Sequence, residues 1–117
     1  SERRAALAWL QALHLEDRAN QAFSTLSYGQ QRLVLVARAM VTRPPILVLD
    51  EPFTGLDDYN RDRLLQLVDF IAASSSTQIL YVSHLADEIP SCINRVLEFQ
   101  PHRDGLYRLV DANKSAW

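Results

Sequence analysis

Apolar residues recur every three or four positions between residues 4 and 13, at Ala6, Leu7, Trp9, Leu10 and Leu13, and that period predicts an amphipathic helix. Leu15 and a polar stretch follow, which read as a loop through Phe23. The helical period returns at Leu33, Val34, Val36, Ala37 and Met40. Ser27 can cap this second helix and Pro44-Pro45 forbids its continuation, so it should run from about residue 27 to 42. Ile46-Leu47-Val48-Leu49 is apolar without alternation, as in a strand buried on both faces of a parallel sheet, and it delivers Asp50 and Glu51 at its C-terminal end. Pro52 through Asp58 reads as loop, with Gly55 free to take positive φ. Asp58 can cap a third helix carrying Leu64, Leu67, Val68 and Ile71 on one stripe, ended by Ser74-Ser75-Ser76. Gln78-Ile79-Leu80-Tyr81-Val82 is the next strand. A short helix near residues 85–88 follows, and residues 95–99 and 106–110 then alternate around Asp104-Gly105 as an antiparallel hairpin.

A strand–helix–strand unit with so long a crossover is parallel and right-handed. Asp50, Glu51 and His84 therefore emerge on one edge of one sheet, the edge where open α/β sheets bind ligands. The expected fold is α/β, a mostly parallel sheet flanked by helices and ending in an antiparallel hairpin.

Composition narrows the chemistry. The 117 residues suffice for one modest core and not for two domains. Twelve basic residues face 14 acidic ones, for a net charge of −2, and no segment strings Lys and Arg together, so nucleic acid is not an expected partner. Cys92 is the single cysteine, which excludes an intramolecular disulfide and fits a reducing, cytoplasmic setting. No apolar run approaches the roughly 18 residues a membrane helix needs.

Three segments carry chemistry, each with a plainer reading beside it. An apolar strand ending in two acids suits phosphoryl transfer: Asp50 can hold Mg²⁺ through a bound water, while Glu51 orients or deprotonates the attacking water. The plainer reading is a solvated acidic pair at a strand end. Leu26-Ser27-Tyr28-Gly29-Gln30-Gln31 can be an ordinary helix start, yet its unpaired N–H groups and positive dipole end also favour phosphate. One such end contributes only about 0.3–2 kcal/mol, enough to supplement a phosphate site and not to build one. His84 alone is more often a surface histidine than a catalytic one. His84 and Glu88 sit four apart, but two ligands without a third do not make a metal site. His14 and His102 read as surface residues, Trp9 as core, and Cys92 as a buried or half-buried small side chain.

The ordered triple Leu26-Ser27-Tyr28-Gly29-Gln30, Asp50-Glu51-Pro52 and Ser83-His84 resembles the signature, Walker B and switch-histidine segments of ATP-binding cassette (ABC) ATPases, over about residues 9 to 110. Residues 23–33 and 83–93 are similar in particular to the second cassette of tandem-cassette proteins tied to molybdenum transport. The resemblance implies a P-loop NTPase fold, with residues 1–112 forming the C-terminal part of one cassette. Within it, 1–43 would be a helical-subdomain remnant with the signature helix, 44–112 the Walker B to switch region and hairpin, and 113–117 a tail, expected to be disordered.

Catalytic roles then fall to Glu51 and His84, and Mg²⁺ to Asp50. Ser27, Gly29 and Gln30 would serve ATP held by a second cassette, and Asp57 would cross the dimer interface. The family most often has Gly where this chain has Tyr28, so the ring must point away from the phosphate or narrow the site and slow hydrolysis. A P-loop needs Gly-x-x-x-x-Gly-Lys, whereas the glycines here are Gly29, Gly55 and Gly105 and the one lysine is Lys114. The chain is therefore expected to be a cassette fragment, inactive by itself and self-associating through sheet surface that the other half would cover. Its parent is either a transport ATPase, peripheral on the inner face of the cell membrane through a permease and related to molybdate import, or a soluble tandem-cassette ATPase with a regulatory or repair-associated role. A non-enzymatic binding module would require the ordered triple to be coincidence.

Overall fold

The computed structural model describes residues 1–85 and 88–112. Helix α1 is Glu2–Ala12, α2 Tyr28–Val41 and α3 Asp58–Ser74; strand β1 is Ile46–Asp50, β2 Gln78–Val82, β3 Val96–Pro101 and β4 Tyr107–Ala112. The expected order of elements is present, and the departures from it have local causes. The stretch between α1 and α2 contains two 3₁₀ turns, Glu16–Arg18 and Phe23–Thr25, rather than plain loop. Leu13 and Leu15 are 4% and 3% exposed, and their burial draws this connection onto the core.

Asp57, not Asp58, caps α3. Its backbone is extended and its Oδ1 accepts the Asn60 N–H at 2.9 Å, while Asp58 sits in the first turn, where its charge complements the helix dipole. The expected short helix at 85–88 includes Ala86 and Asp87, and the tail begins at Asn113; these residues lie outside the described ones.

The core is made where α2 and α3 meet the sheet. Leu33, Leu64, Val68 and Ile71 are essentially inaccessible, and Leu47 and Leu49 of β1 join them. Trp9 of α1 is only half-buried, at the margin of this core, with its ring edge-on to Phe70 of α3 at 5.9 Å. Each fully buried aliphatic side chain contributes about 1.5–3 kcal/mol, so this cluster fixes how α2 and α3 sit.

Strands β1 and β2 pair in parallel, with Ile46 opposite Gln78 and Asp50 opposite Val82. β1 is not buried on both faces: Ile46 and Val48 are 54% and 57% exposed, and Leu80 and Val82 of β2 are also exposed. The helices cover one face of a two-stranded sheet, and no described element covers the other. β3 and β4 form a separate antiparallel pair, with Asp104 and Gly105 at positive φ in the connection, as the hairpin reading requires.

An apolar sheet face of this kind drives association. Light scattering on the isolated chain at rising concentration should give a mass above 13.3 kDa; a clean monomer at the highest concentration would count against that consequence.

Candidate functional site

The β1–β2 register sets the geometry of the acidic edge. The ladder continues one bond past β1, the Glu51 N–H donating to the Val82 carbonyl at 2.8 Å. Glu51 then takes φ +48, a left-handed conformation that is uncommon for a residue with a side chain. His84 meets its carboxylate twice. The His84 backbone N–H donates to Glu51 Oε1 at 3.2 Å, and the ring Nδ1 lies 2.6 Å from the same oxygen.

Because Glu51 Oε1 is an acceptor, Nδ1 carries the proton, which leaves Nε2 free to face a ligand. The Glu51 hydrogen bond, and then its negative charge, raise the His84 pKa above its ordinary 6.5. The pairing therefore contributes stability fully below pH 6.5 and loses it as pH rises through the raised value.

Glu88, four residues on, is engaged elsewhere. Its Oε1 takes the Arg61 guanidinium at 2.6 Å, Arg61 also lies over the Phe53 ring, and the Tyr81 hydroxyl donates to the Glu88 carbonyl at 3.0 Å. Burial, and then the nearby charge of Glu88, push the Tyr81 pKa up to about 12, so this donor stays protonated at any physiological pH. No three His, Cys, Asp or Glu side chains cluster as metal ligands among the described residues. The Arg61–Glu88 tie, which fastens α3 to the segment after His84, carries no sequence signal beyond two opposite charges 27 positions apart.

Asp50 ends β1 exposed and has no ion-pair partner among the described residues. A single free carboxylate at a ligand-binding edge fits Mg²⁺, which keeps several waters and needs only one or two protein carboxylates beside the phosphates.

At the start of α2, Ser27 and Gln30 form a reciprocal capping box: the Ser27 hydroxyl accepts the Gln30 N–H at 3.2 Å, and Gln30 Oε1 accepts the Ser27 N–H at 3.0 Å. The N–H groups of Tyr28 and Gly29 find no acceptor among the described residues. Gly29 is buried against α3, where an added methyl group would run into the Asn60 side chain. Ser27 and Gln30 border an open cleft of about 390 Å³ shared with Arg18, Tyr59, Asn60 and Arg63.

The ring of Tyr28 lies over the Thr54–Gly55 turn, and its hydroxyl is bound by Arg32. Asp57 keeps Oδ2 out of the cap it makes for α3. The structure thus gathers Glu51 and His84 into direct contact and aligns Ser27, Gly29 and Gln30 on one helix start. Asp50 emerges beside Glu51 and Asp57 caps α3 next to Gly29, and neither side chain hydrogen-bonds to the other residues of these groups among the described residues.

The fold is that of part of an α/β domain of the P-loop NTPase class. The family described as ABC transporter matches residues 1–54. The chain is 48% identical to the ABC transporter ATP-binding protein ModF of Escherichia coli strain K12, over 87% of this chain and 21% of ModF. It is 38% identical to the uncharacterized ABC transporter ATP-binding protein YlmA of Bacillus subtilis strain 168, over 81% of this chain and 36% of YlmA. Among solved structures, the ADP conformation of MJ1267, an ATP-binding cassette of an ABC transporter, superposes with a TM-score of 0.70 at 26% identity, covering 82% of this chain and 37% of that one. The fold is also that of cbiO1 from Clostridium perfringens, with a TM-score of 0.79 at 24% identity over 97% of this chain and 44% of cbiO1. The chain belongs to the ABC transporter family of ATP-binding proteins and spans less than half the length of each of these relatives.

The Glu51–His84 contact predicts an NMR titration of the His84 ring with a midpoint above 6.5. Glu51→Gln should bring it back toward the ordinary value; an unshifted midpoint in both proteins would show that the pair does not persist in solution.

Proposed function

We propose that the protein containing this chain hydrolyses ATP, with Glu51 and His84 as the catalytic pair of this cassette. The observation that carries the reading is their double contact at the sheet edge where Asp50 also emerges. Glu51 orients the attacking water and accepts its proton. His84 holds that carboxylate in place and directs Nε2 toward the γ-phosphate, and its raised pKa favours an N–H donor there near neutral pH. Mg²⁺ held by Asp50, directly or through water, would neutralise charge on the phosphates when bound.

Ser27, Gly29 and Gln30 serve ATP held by a second cassette, whose phosphates meet the free N–H groups at the start of α2. For Ser27 and Gln30 this means a hydroxyl and an amide already oriented by their mutual cap. Asp57 lies at the dimer interface, with the carboxylate oxygen it does not spend on the cap.

The second cassette belongs to the same polypeptide in this reading. The aligned stretch is 21% of ModF and 36% of YlmA, so ModF is close to twice as long, as two cassettes in tandem require. The transport reading, in which the cassette pair drives a membrane permease, is supported by the likeness to the ABC transporter ATP-binding protein ModF and to the branched-chain amino acid transport ATP-binding protein BraF of Pseudomonas aeruginosa, 41% identical over 72% of this chain; molybdate-related import is its narrower form, and neither relative's name carries it. The tandem length equally suits a soluble ATPase without a permease, in a regulatory or repair-associated role. A membrane protein that co-purifies with the full-length chain favours the first reading, and stable behaviour without one favours the second. No described helix is long and apolar enough to cross a membrane.

In the full-length protein, Glu51→Gln should abolish turnover at this cassette, a loss of about 10²-fold or more, while ATP binding is retained. The isolated 117-residue chain, which contains no P-loop sequence, should be silent. Undiminished turnover in Glu51→Gln would overturn the assignment of the base.

A further inference from the structure

The start of α2 and the loop leading into α3 are joined at two points. Tyr28 forms the first. Its hydroxyl accepts from Arg32 Nε and Nη2 at 3.1 and 2.7 Å and donates to the Thr54 carbonyl at 3.3 Å. Arg32 Nη2 reaches the same carbonyl at 3.5 Å, and its guanidinium carbon lies 5.3 Å from the ring centroid. The ring itself rests on Gly55, where a side chain's first carbon would lie 3.2 Å from Tyr28 Cε1 and where φ is +79. Gly29 forms the second point, flat against Asn60, whose N–H is held by Asp57.

The contact continues inward. The Thr54 N–H donates to the Glu51 carbonyl at 3.3 Å, and the Glu51 carboxylate is the one bound by His84. A continuous series of contacts thus runs from the α2 start, through Tyr28, Thr54 and Glu51, to the ring of His84.

We infer that Tyr28, clamped by Arg32, is a positioning residue that couples the helix start facing the partner's nucleotide to the Glu51 loop facing the cassette's own nucleotide. The inference rests on the functional reading above. Glycine at position 28 has no side chain to reach Thr54, so the hydroxyl link is specific to a chain with tyrosine there. With it, movement of the α2 start on the partner's nucleotide is transmitted to the carbonyl of Thr54 and from there to the backbone of Glu51. The Tyr28 side chain acts through Thr54 and touches neither reacting atom nor metal.

The test uses the full-length protein with Mg-ATP and compares Tyr28→Phe, Arg32→Met and the double variant. Tyr28→Phe keeps the ring on Gly55 and removes only the hydroxyl. It should lower kcat by about 3- to 10-fold, the scale of one exposed-to-partly-buried hydrogen bond, with KM for ATP within about twofold and the thermal midpoint unchanged. Arg32→Met should give a similar loss, and the double variant no more than the larger single loss, because both remove one shared link.

Unchanged kcat in Tyr28→Phe overturns the inference, as do losses that multiply in the double variant. A lowered thermal midpoint with proportionate loss of active protein and no change in kcat per folded molecule also overturns it, since that is a purely structural role. Should Arg32→Met fold poorly, Tyr28→Phe alone decides. Glu51→Gln run alongside separates the two claims: full turnover in that variant removes the functional reading itself, whereas its loss with an unaffected Tyr28→Phe removes only the coupling.

Discussion

Much of what this chain can do follows from the register of two short parallel strands. Asp50 pairs with Val82, and the Glu51 N–H extends the ladder to the Val82 carbonyl. With that pairing fixed, the chain leaving β1 and the chain leaving β2 start side by side, and a two-residue step from Val82 to His84 brings the imidazole onto the Glu51 carboxylate. A slip of one residue would invert which side chains of β2 face the helices and separate this pair. The helices defend the register through Leu47 and Leu49, which are locked against Leu33, Leu64 and Val68 on the covered face.

The same packing positions the second group of functional residues. α2 and α3 meet through fully buried aliphatic side chains, and this closeness presses Gly29 onto Asn60 and brings Tyr28 over the Thr54–Gly55 turn. Two segments that reach toward a partner in the functional reading, the α2 start and the Asp57 loop, are therefore parts of one packed unit. Glu51 is reached from them through the Tyr28 hydroxyl on the Thr54 carbonyl and then the backbone hydrogen bond from the Thr54 N–H to the Glu51 carbonyl. The opposite sheet face, lined by Ile46, Val48, Leu80 and Val82, has no such cover among the described residues. It is apolar because parallel strands of this fold class are built to be enclosed on both sides.

Most of the fold was legible in the sequence, because it is written in periodicity. The helical stripe of Leu33, Val36, Ala37 and Met40 and the unbroken run Ile46 to Leu49 each permit few alternatives, and the prolines and serines mark where they stop. The candidate site was legible as three separate segments, Ser27 to Gln30, Asp50-Glu51 and His84. What sequence could not give was long-range contact: that His84 meets Glu51 through both backbone and ring, or that Arg61 claims Glu88. Such facts depend on chain geometry across 27 to 33 positions. The cap of α3 was misplaced by one residue because Asp57 and Asp58 are equally good caps, and only the extended backbone at Asp57 decides between them. Burial of β1 on one face alone was similarly invisible, since apolar composition records the environment a strand is suited to and not the neighbours present.

The central claim is that the two groups of residues serve two different nucleotides, one across a cassette interface and one within the cassette. The structure of the full-length Glu51→Gln protein with Mg-ATP bound tests it most directly. The account predicts that the N–H groups of Tyr28 and Gly29 and the Ser27 hydroxyl meet the γ-phosphate of an ATP held by the other cassette, while Asp50 and His84 face a separate ATP. A structure in which both groups surround one nucleotide, or in which Ser27 and Gly29 contact none, would contradict it.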